Sequence, residues 1–171
     1  MSIIYYFLIS VAVVILDQLS KFIAVKYLMP VSSFPIIKDV IHFTYVENKG
    51  AAFGMLQDQR RVFMVISTVM IAVLIFIMVK YKKYFHPLML IGIAFVFGGG
   101  IGNMIDRTLL GYVVDFIDFT LINFAVFNIA DSFICVGVGL MLLDVILKKS
   151  DLSFLDDKKS EKDTDNETNA D

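Results

Sequence analysis

Pro87–Ile105 reads PLMLIGIAFVFGGGIGNMI, a run without a single charge. At 1.5 Å per residue its length matches the hydrocarbon core of a bilayer, so it is expected to be a membrane-spanning helix. Three further apolar runs lie on either side, at about Ile3–Leu28, Val62–Val79 and Phe124–Leu147. The chain of 171 residues is 58% hydrophobic, with a mean hydropathy of +0.77, which excludes an ordinary water-soluble domain. The expected fold is an all-α membrane protein of four transmembrane helices. A small extracytoplasmic β-sheet and an interfacial helical turn are expected between the first two.

Those additions come from the loop at about Met29–Arg61. Ile41, Phe43 and Tyr45 alternate with His42, Thr44 and Val46, the period of a half-buried strand. Ala51–Leu56, after Asn48, Lys49 and Gly50, is a short apolar patch suited to the lipid interface. The N-terminal run has no Lys or Arg ahead of it and no cysteine nearby, so an uncleaved span fits it better than a signal peptide. An even number of spans puts both termini on one side. Lys80, Lys82 and Lys83 after the second span, with Lys148 and Lys149 after the fourth, favour the cytoplasm for that side. Against this, the opposite loops carry Lys26, Lys38, Lys49, Arg60, Arg61 and Arg107.

The net charge of −2 is uneven. From Ser150 onward eight acids face three lysines, leaving 12 basic against 9 acidic residues in the first 149, or +3. Residues 1–149 are therefore expected to form the membrane domain and 150–171 an acidic, disordered cytoplasmic tail. Cys135 is the only cysteine and sits in an apolar run, which excludes disulfides and predicts a small buried hydrophobe.

Ionisable groups at the edge of such segments are expensive and mark function by default. Asp115 lies in Val113-Val114-Asp115-Phe116, apolar surroundings that disfavour its charged form. Asp131 follows Asn128 by three residues at the start of the fourth span, with Ser132 on the same stripe. Two carboxylates that meet cannot both ionise easily; one stays protonated while the other acts as a base, the arrangement of an aspartic peptidase. Asp118 either caps the next segment or is itself the functional acid, and spacing does not decide between them. Asp17 and Lys21 are four apart, acid first, favouring an ion pair with Lys21 snorkelling outward or a supporting role for nearby polar groups.

Gly98–Gly102 mimics a dinucleotide fingerprint only superficially, because no strand precedes it. Small residues in a membrane helix admit a neighbouring backbone or a substrate chain instead. Asn103, Asp106 and Arg107 share one face beyond them. Asp106 either pairs locally with Arg107, or Asn103 and Arg107 are presented to a peptide backbone or an ester head group.

Five blocks together resemble the lipoprotein signal peptidase (signal peptidase II) family. They are Leu16–Lys21, Asn48–Phe53, Gly102–Arg107, Val113–Ile117 and Phe127–Ser132, in the family's order over roughly Leu16–Leu147. The resemblance implies that Asp115 and Asp131 are the catalytic pair. It further implies that Asn48, Asn103, Arg107 and Asn128 line the substrate cleft, with Asp17 and Lys21 supporting. The implied substrates are prolipoproteins with a diacylglyceryl-modified cysteine, cut before that cysteine near the outer face of the bacterial cytoplasmic membrane. No metal or cofactor, no nucleic acid, a monomer in contact with membrane lipid, and sensitivity to globomycin are expected. The rival reading is a small transporter or proton-conducting subunit, which also uses intramembrane acids.

Overall fold

A computed structural model describes residues 2–50, 60–147 and 149–151. The apolar patch at 51–56 and the tail beyond Asp151 lie outside the described residues. All four apolar runs are helical: α1 (Ile3–Ile23), α2 (Arg60–Lys80), α3 (Pro87–Leu109) and α4 (Ile129–Ile146). Among the described residues, Ile3–Leu28, Pro87–Leu109 and Ile129–Ile146 are long and apolar enough to cross a bilayer, while the apolar stretch of α2, Met64–Lys80, is shorter. A π-turn over Ala24–Leu28 extends α1, so the first run is helical over its full expected length.

The fourth run differs from expectation. It was to begin near Phe124, yet α4 begins at Ile129. Asn123 adopts a left-handed φ of 48°, and Phe127 forms a bridge with Ile117, so the chain stays extended until Asn128 caps the helix. That cap is reciprocal: Asn128 Oδ1 accepts the Asp131 N–H at 3.0 Å and Asp131 Oδ2 accepts the Asn128 N–H at 3.3 Å. At the other end of the bundle His86 caps α3, accepting the Leu88 N–H, with Pro87 in the first helical position where its missing N–H costs nothing.

α3 is the centre of the bundle. Lipid offers no hydrophobic drive between helices, so close backbone approach through small residues does the packing. A Cβ at Gly98 would lie 2.8 Å from the Ser10 carbonyl of α1, and one at Gly99 would lie 2.5 Å from the Ala130 carbonyl of α4. Ser10 adds a hydrogen bond from its hydroxyl to the Ala94 carbonyl at 2.9 Å. α2 lies against the remaining side, burying Leu74 and Met78 in the shared core. Where α4 ends, Asp144 is fully buried and accepts the Ser150 hydroxyl at 2.5 Å, while Ser150 Oγ accepts the His86 N–H at 2.9 Å.

Beyond α1 the chain forms the expected small sheet. It has three antiparallel strands in the order β1 (Ser33–Ile37), β2 (Ile41–Asn48) and β3 (Val113–Asp118). β1 was not anticipated. It is exposed along its length, contains Pro35 and shows no alternation, as suits an edge strand. Opposite β2, Val46 faces Asp115 and Asn48 faces Val113. Val114 and Phe116 pack on Ala24 and Leu28, so the pleat turns Asp115 to the other face.

Candidate active site

That face closes over the first turn of α4. Asp115 is 1% exposed, and each of its oxygens has an amide donor: Asn48 Nδ2 at 2.8 Å on Oδ2 and Asn128 Nδ2 at 2.6 Å on Oδ1. Asp131 receives Asn103 Nδ2 at 2.7 Å on Oδ1. Asn128 therefore serves both acids, through its side chain for Asp115 and through the reciprocal cap for Asp131. Its Nδ2 also reaches Asn103 Oδ1 at 3.0 Å, joining the two amides that hold the two carboxyls.

The two acids, with Asn48, Asn103, Arg107 and Ser132, line a cleft of about 400 Å³, walled on one side by the extended stretch 124–127. Arg107 Nη2 donates to the Gly50 carbonyl at 3.4 Å. Burial pushes the Asp115 carboxyl up to about 7, and the negative charge of Asp131 acts in the same direction. The Asn48 and Asn128 bonds and the Lys21 charge oppose it without cancelling it. Asp115 thus changes protonation near neutral pH.

Asn48, Asn103 and Arg107 line the cleft as expected, whereas Asn128 is fully buried beneath it and reaches it only through the two acids. Asp17 and Lys21 form the expected ion pair at 2.9 Å, but Lys21 does not snorkel. It is 3% exposed and points inward, donating to Asn103 Oδ1 at 2.9 Å, because the buried Asp17 and Asn103 acceptors leave no reason to reach the surface. Asp17 Oδ1 accepts the Ala130 N–H at 2.9 Å, tying α1 to the first turn of α4. Asp118 stays outside the cleft: it lies three residues along the strand from Asp115, hence on the opposite face, and accepts the Thr44 hydroxyl at 2.8 Å. Asp106 is buried and pairs with Lys21 at 3.0 Å, a partner on α1 that the sequence reading does not offer.

Cys135 corrects another expectation. It is exposed and lies in the cleft wall, because it falls one turn after Asp131 on the same stripe of α4. Gln18, inside the Leu16–Lys21 block, carries no expected role, although its Nε2 donates to Asp106 Oδ1 at 2.9 Å. A polar residue between Asp17 and Lys21 inside a membrane span was the available signal. Among the described residues no three His, Cys, Asp or Glu side chains cluster to hold a metal ion.

Comparison with known proteins gives a consistent answer. The sequence profile of the family described as Signal peptidase (SPase) II matches residues 9–147. A lipoprotein signal peptidase of Caldanaerobacter subterraneus subsp. tengcongensis is 53% identical over 136 residues, covering 80% of this chain and 92% of the relative. One from Brevibacillus brevis is 44% identical over 156 residues, covering 91% and 99%. A bacterial membrane enzyme solved at 2.3 Å by the in meso method superposes with a TM-score of 0.76 at 36% identity, covering 85% of this chain and 90% of that one.

Proposed function

We propose that this chain, which belongs to the signal peptidase II family, is a membrane-embedded aspartic endopeptidase with Asp115 and Asp131 as its reacting pair. It removes signal peptides from lipoproteins. The finer substrate reading is a prolipoprotein carrying a diacylglyceryl-modified cysteine, cut on the amino side of that cysteine. The observation that supports the pair is Asn128: one residue orients two carboxyls, from a strand and from a helix, into one cleft.

In this mechanism the pair shares one proton. The ionised carboxylate takes a proton from a water molecule held between the two, and the water oxygen attacks the scissile carbonyl carbon. The protonated carboxyl donates to the carbonyl oxygen. Collapse of the tetrahedral species returns a proton to the departing amine, and the pair ends ready for another turnover. Proton transfer by positioned groups contributes on the order of 10² to 10⁴ in rate. Because the two acids interact, their titration belongs to the pair, and the roles of base and acid are not assigned individually. Asn48, Asn103 and Asn128 hold the carboxyls, and of the cleft-lining groups Asn48, Asn103 and Arg107 meet the substrate backbone or its ester head group. The signal helix and acyl chains of the substrate confine it to the bilayer plane, which supplies proximity without a deep pocket.

The accompanying topology has four spans, with α2 as the fourth despite its shorter apolar stretch, and residues 150–171 as a cytoplasmic tail. Both termini lie in the cytoplasm and the cleft sits near the outer face, with membrane lipid around a monomer. The residues of the cleft and of the layer beneath it gather at one end of the bundle, an arrangement suited to surface chemistry. The test is purified protein in detergent with a diacylglyceryl-modified peptide. Asp115→Asn and Asp131→Asn should each lose cleavage while keeping the melting temperature within a few degrees. Cleavage that persists in either variant refutes the pair.

A further inference from the structure

The cleft rests on a buried charged layer that the cleavage mechanism does not use. Asp106, 3% exposed near the end of α3, collects three donors, two from α1 and one from β3. Gln18 Nε2 reaches its Oδ1 at 2.9 Å; Lys21 Nζ and the Val114 N–H reach its Oδ2 at 3.0 and 3.1 Å. A carboxylate has the lone pairs for all three and no proton of its own to misplace.

Two of these bonds lead to the reacting acids by separate routes. Val114 is the residue before Asp115, on β3, the edge strand of the sheet among the described residues, and its N–H bonds Asp106 instead of a strand. Asp106 supplies the missing acceptor and so fixes the height of β3 against the bundle. Lys21, held between Asp106 and Asp17, donates to Asn103 Oδ1, which leaves Asn103 Nδ2 aimed at Asp131. The amide cannot turn over without placing its NH₂ against the Lys21 ammonium. Gly102 makes room for this layer, since a Cβ there would lie 2.5 Å from Asp17 Oδ2.

We propose that Asp106 is a positioning residue for the reaction, setting Asp115 through the Val114 backbone and Asp131 through Lys21 and Asn103. This rests on the reading of Asp115 and Asp131 as the reacting pair. The layer also carries charge. Asp17 and Asp106 share one Lys21, leaving a net negative charge beneath the pair. Among the described residues, further charged groups around it are Arg107 on α3 and Glu47, which stands opposite Val114 on β2. A buried ion cluster is costly to keep, and apolar residues of equal volume would pack at least as well. Its cost is offset if it sets geometry and field.

The test uses the full chain in detergent with a lipid-modified peptide, and follows kcat, KM and the pH profile. Asp106→Asn should lower kcat about tenfold to hundredfold, the scale of a small misplacement of reacting groups, with KM nearly unchanged. It should also move the alkaline limb of the profile to lower pH by roughly one unit, because a negative charge that retains the shared proton is gone. Lys21→Met should move the same limb to higher pH. Shifts of opposite sign are not expected of a merely structural salt bridge. Unshifted limbs, shifts of the same sign, or a loss confined to KM overturn the proposal. Should Asp106→Asn fail to fold, the half-buried Gln18→Met removes one donor only; a several-fold loss in kcat at constant KM supports the proposal and a wild-type kcat overturns it. If Asp115→Asn or Asp131→Asn remains active, the reacting pair is misassigned. If both are inactive and Asp106→Asn behaves as wild type, only the present inference fails.

Discussion

α2 and α3 are both long apolar helices, yet the molecule uses them differently. α3 is buried along most of its length, touches α1 and α4 through glycines, and ends in Asn103, Asp106 and Arg107. α2 contains no glycine, buries Leu74 and Met78, and shows much of its remaining apolar surface to the outside. Hydropathy identifies a span; small residues identify which span the others are built around. Chemistry follows the second signal, because only a close-packed helix holds an amide or a carboxylate to within a few tenths of an ångström.

The contrast breaks first at the polar end. Asp115→Asn and Asp131→Asn should lose about 10² to 10⁴ in kcat in the lipopeptide cleavage assay. On α2, Thr68→Ala removes an exposed hydroxyl bonded to its own helix and should change the rate by no more than about twofold. A comparable loss in Thr68→Ala would mean that α2 takes part in the site after all.

Glycines sharpen the comparison at the next level. Gly99→Ala forces a Cβ to within 2.5 Å of the Ala130 carbonyl, displacing the turn of α4 that carries Asp131. Activity should fall about tenfold and the melting temperature should drop, since overpacking of this kind costs about 1–3 kcal/mol. Gly100→Ala, whose nearest neighbour is an Ile71 methylene 3.8 Å away on α2, should be neutral or stabilising by about 0.5–1 kcal/mol. Equal effects at the two positions would erase the distinction between the two faces of α3.

The pH dependence is smaller and has a definite sign. Asp115 sits at about 7 in the fold against an ordinary 3.8, so the folded state holds this proton more tightly than the unfolded chain. The stabilisation is complete below the ordinary value and is lost as pH rises through about 7. Asp115→Asn has no such proton to lose. Its melting temperature relative to wild type should therefore rise between pH 5 and pH 8; a constant difference would mean that Asp115 is not held in its neutral form. Cleavage by the wild-type protein should decline on the alkaline side of the same range. Smallest of all, Asp118→Asn should leave cleavage within about twofold, as its carboxyl lies on the other face of β3.

Much of this was legible beforehand because the membrane makes polar residues conspicuous. Asp17, Lys21, Asn103, Asp115, Asn128 and Asp131 stand out against apolar surroundings, and the resemblance joined them into one site. What could not be read was partnership at a distance. Nothing local says that Asp106 bonds the Val114 backbone, or that Lys21 turns inward, because both depend on α1 and β3 meeting α3. β1 escaped notice since an exposed edge strand needs no alternation. Cys135 was misplaced for a related reason: an apolar run in a membrane helix has no fixed inside, and the cleft decided which stripe lay open.

The far end of α4 bears on how the protein can be shortened. Asp144 is sealed from solvent there with the Ser150 hydroxyl as its hydrogen-bond donor, and the Asp151 N–H is spent on the Tyr84 carbonyl. A chain stopped at Lys149 would strip that acid of its donor, a loss of about 1–3 kcal/mol for a sealed acceptor. One stopped after Asp151 sheds the acidic extension and keeps its root, so trimmed versions for crystallisation or inhibitor screening should end there.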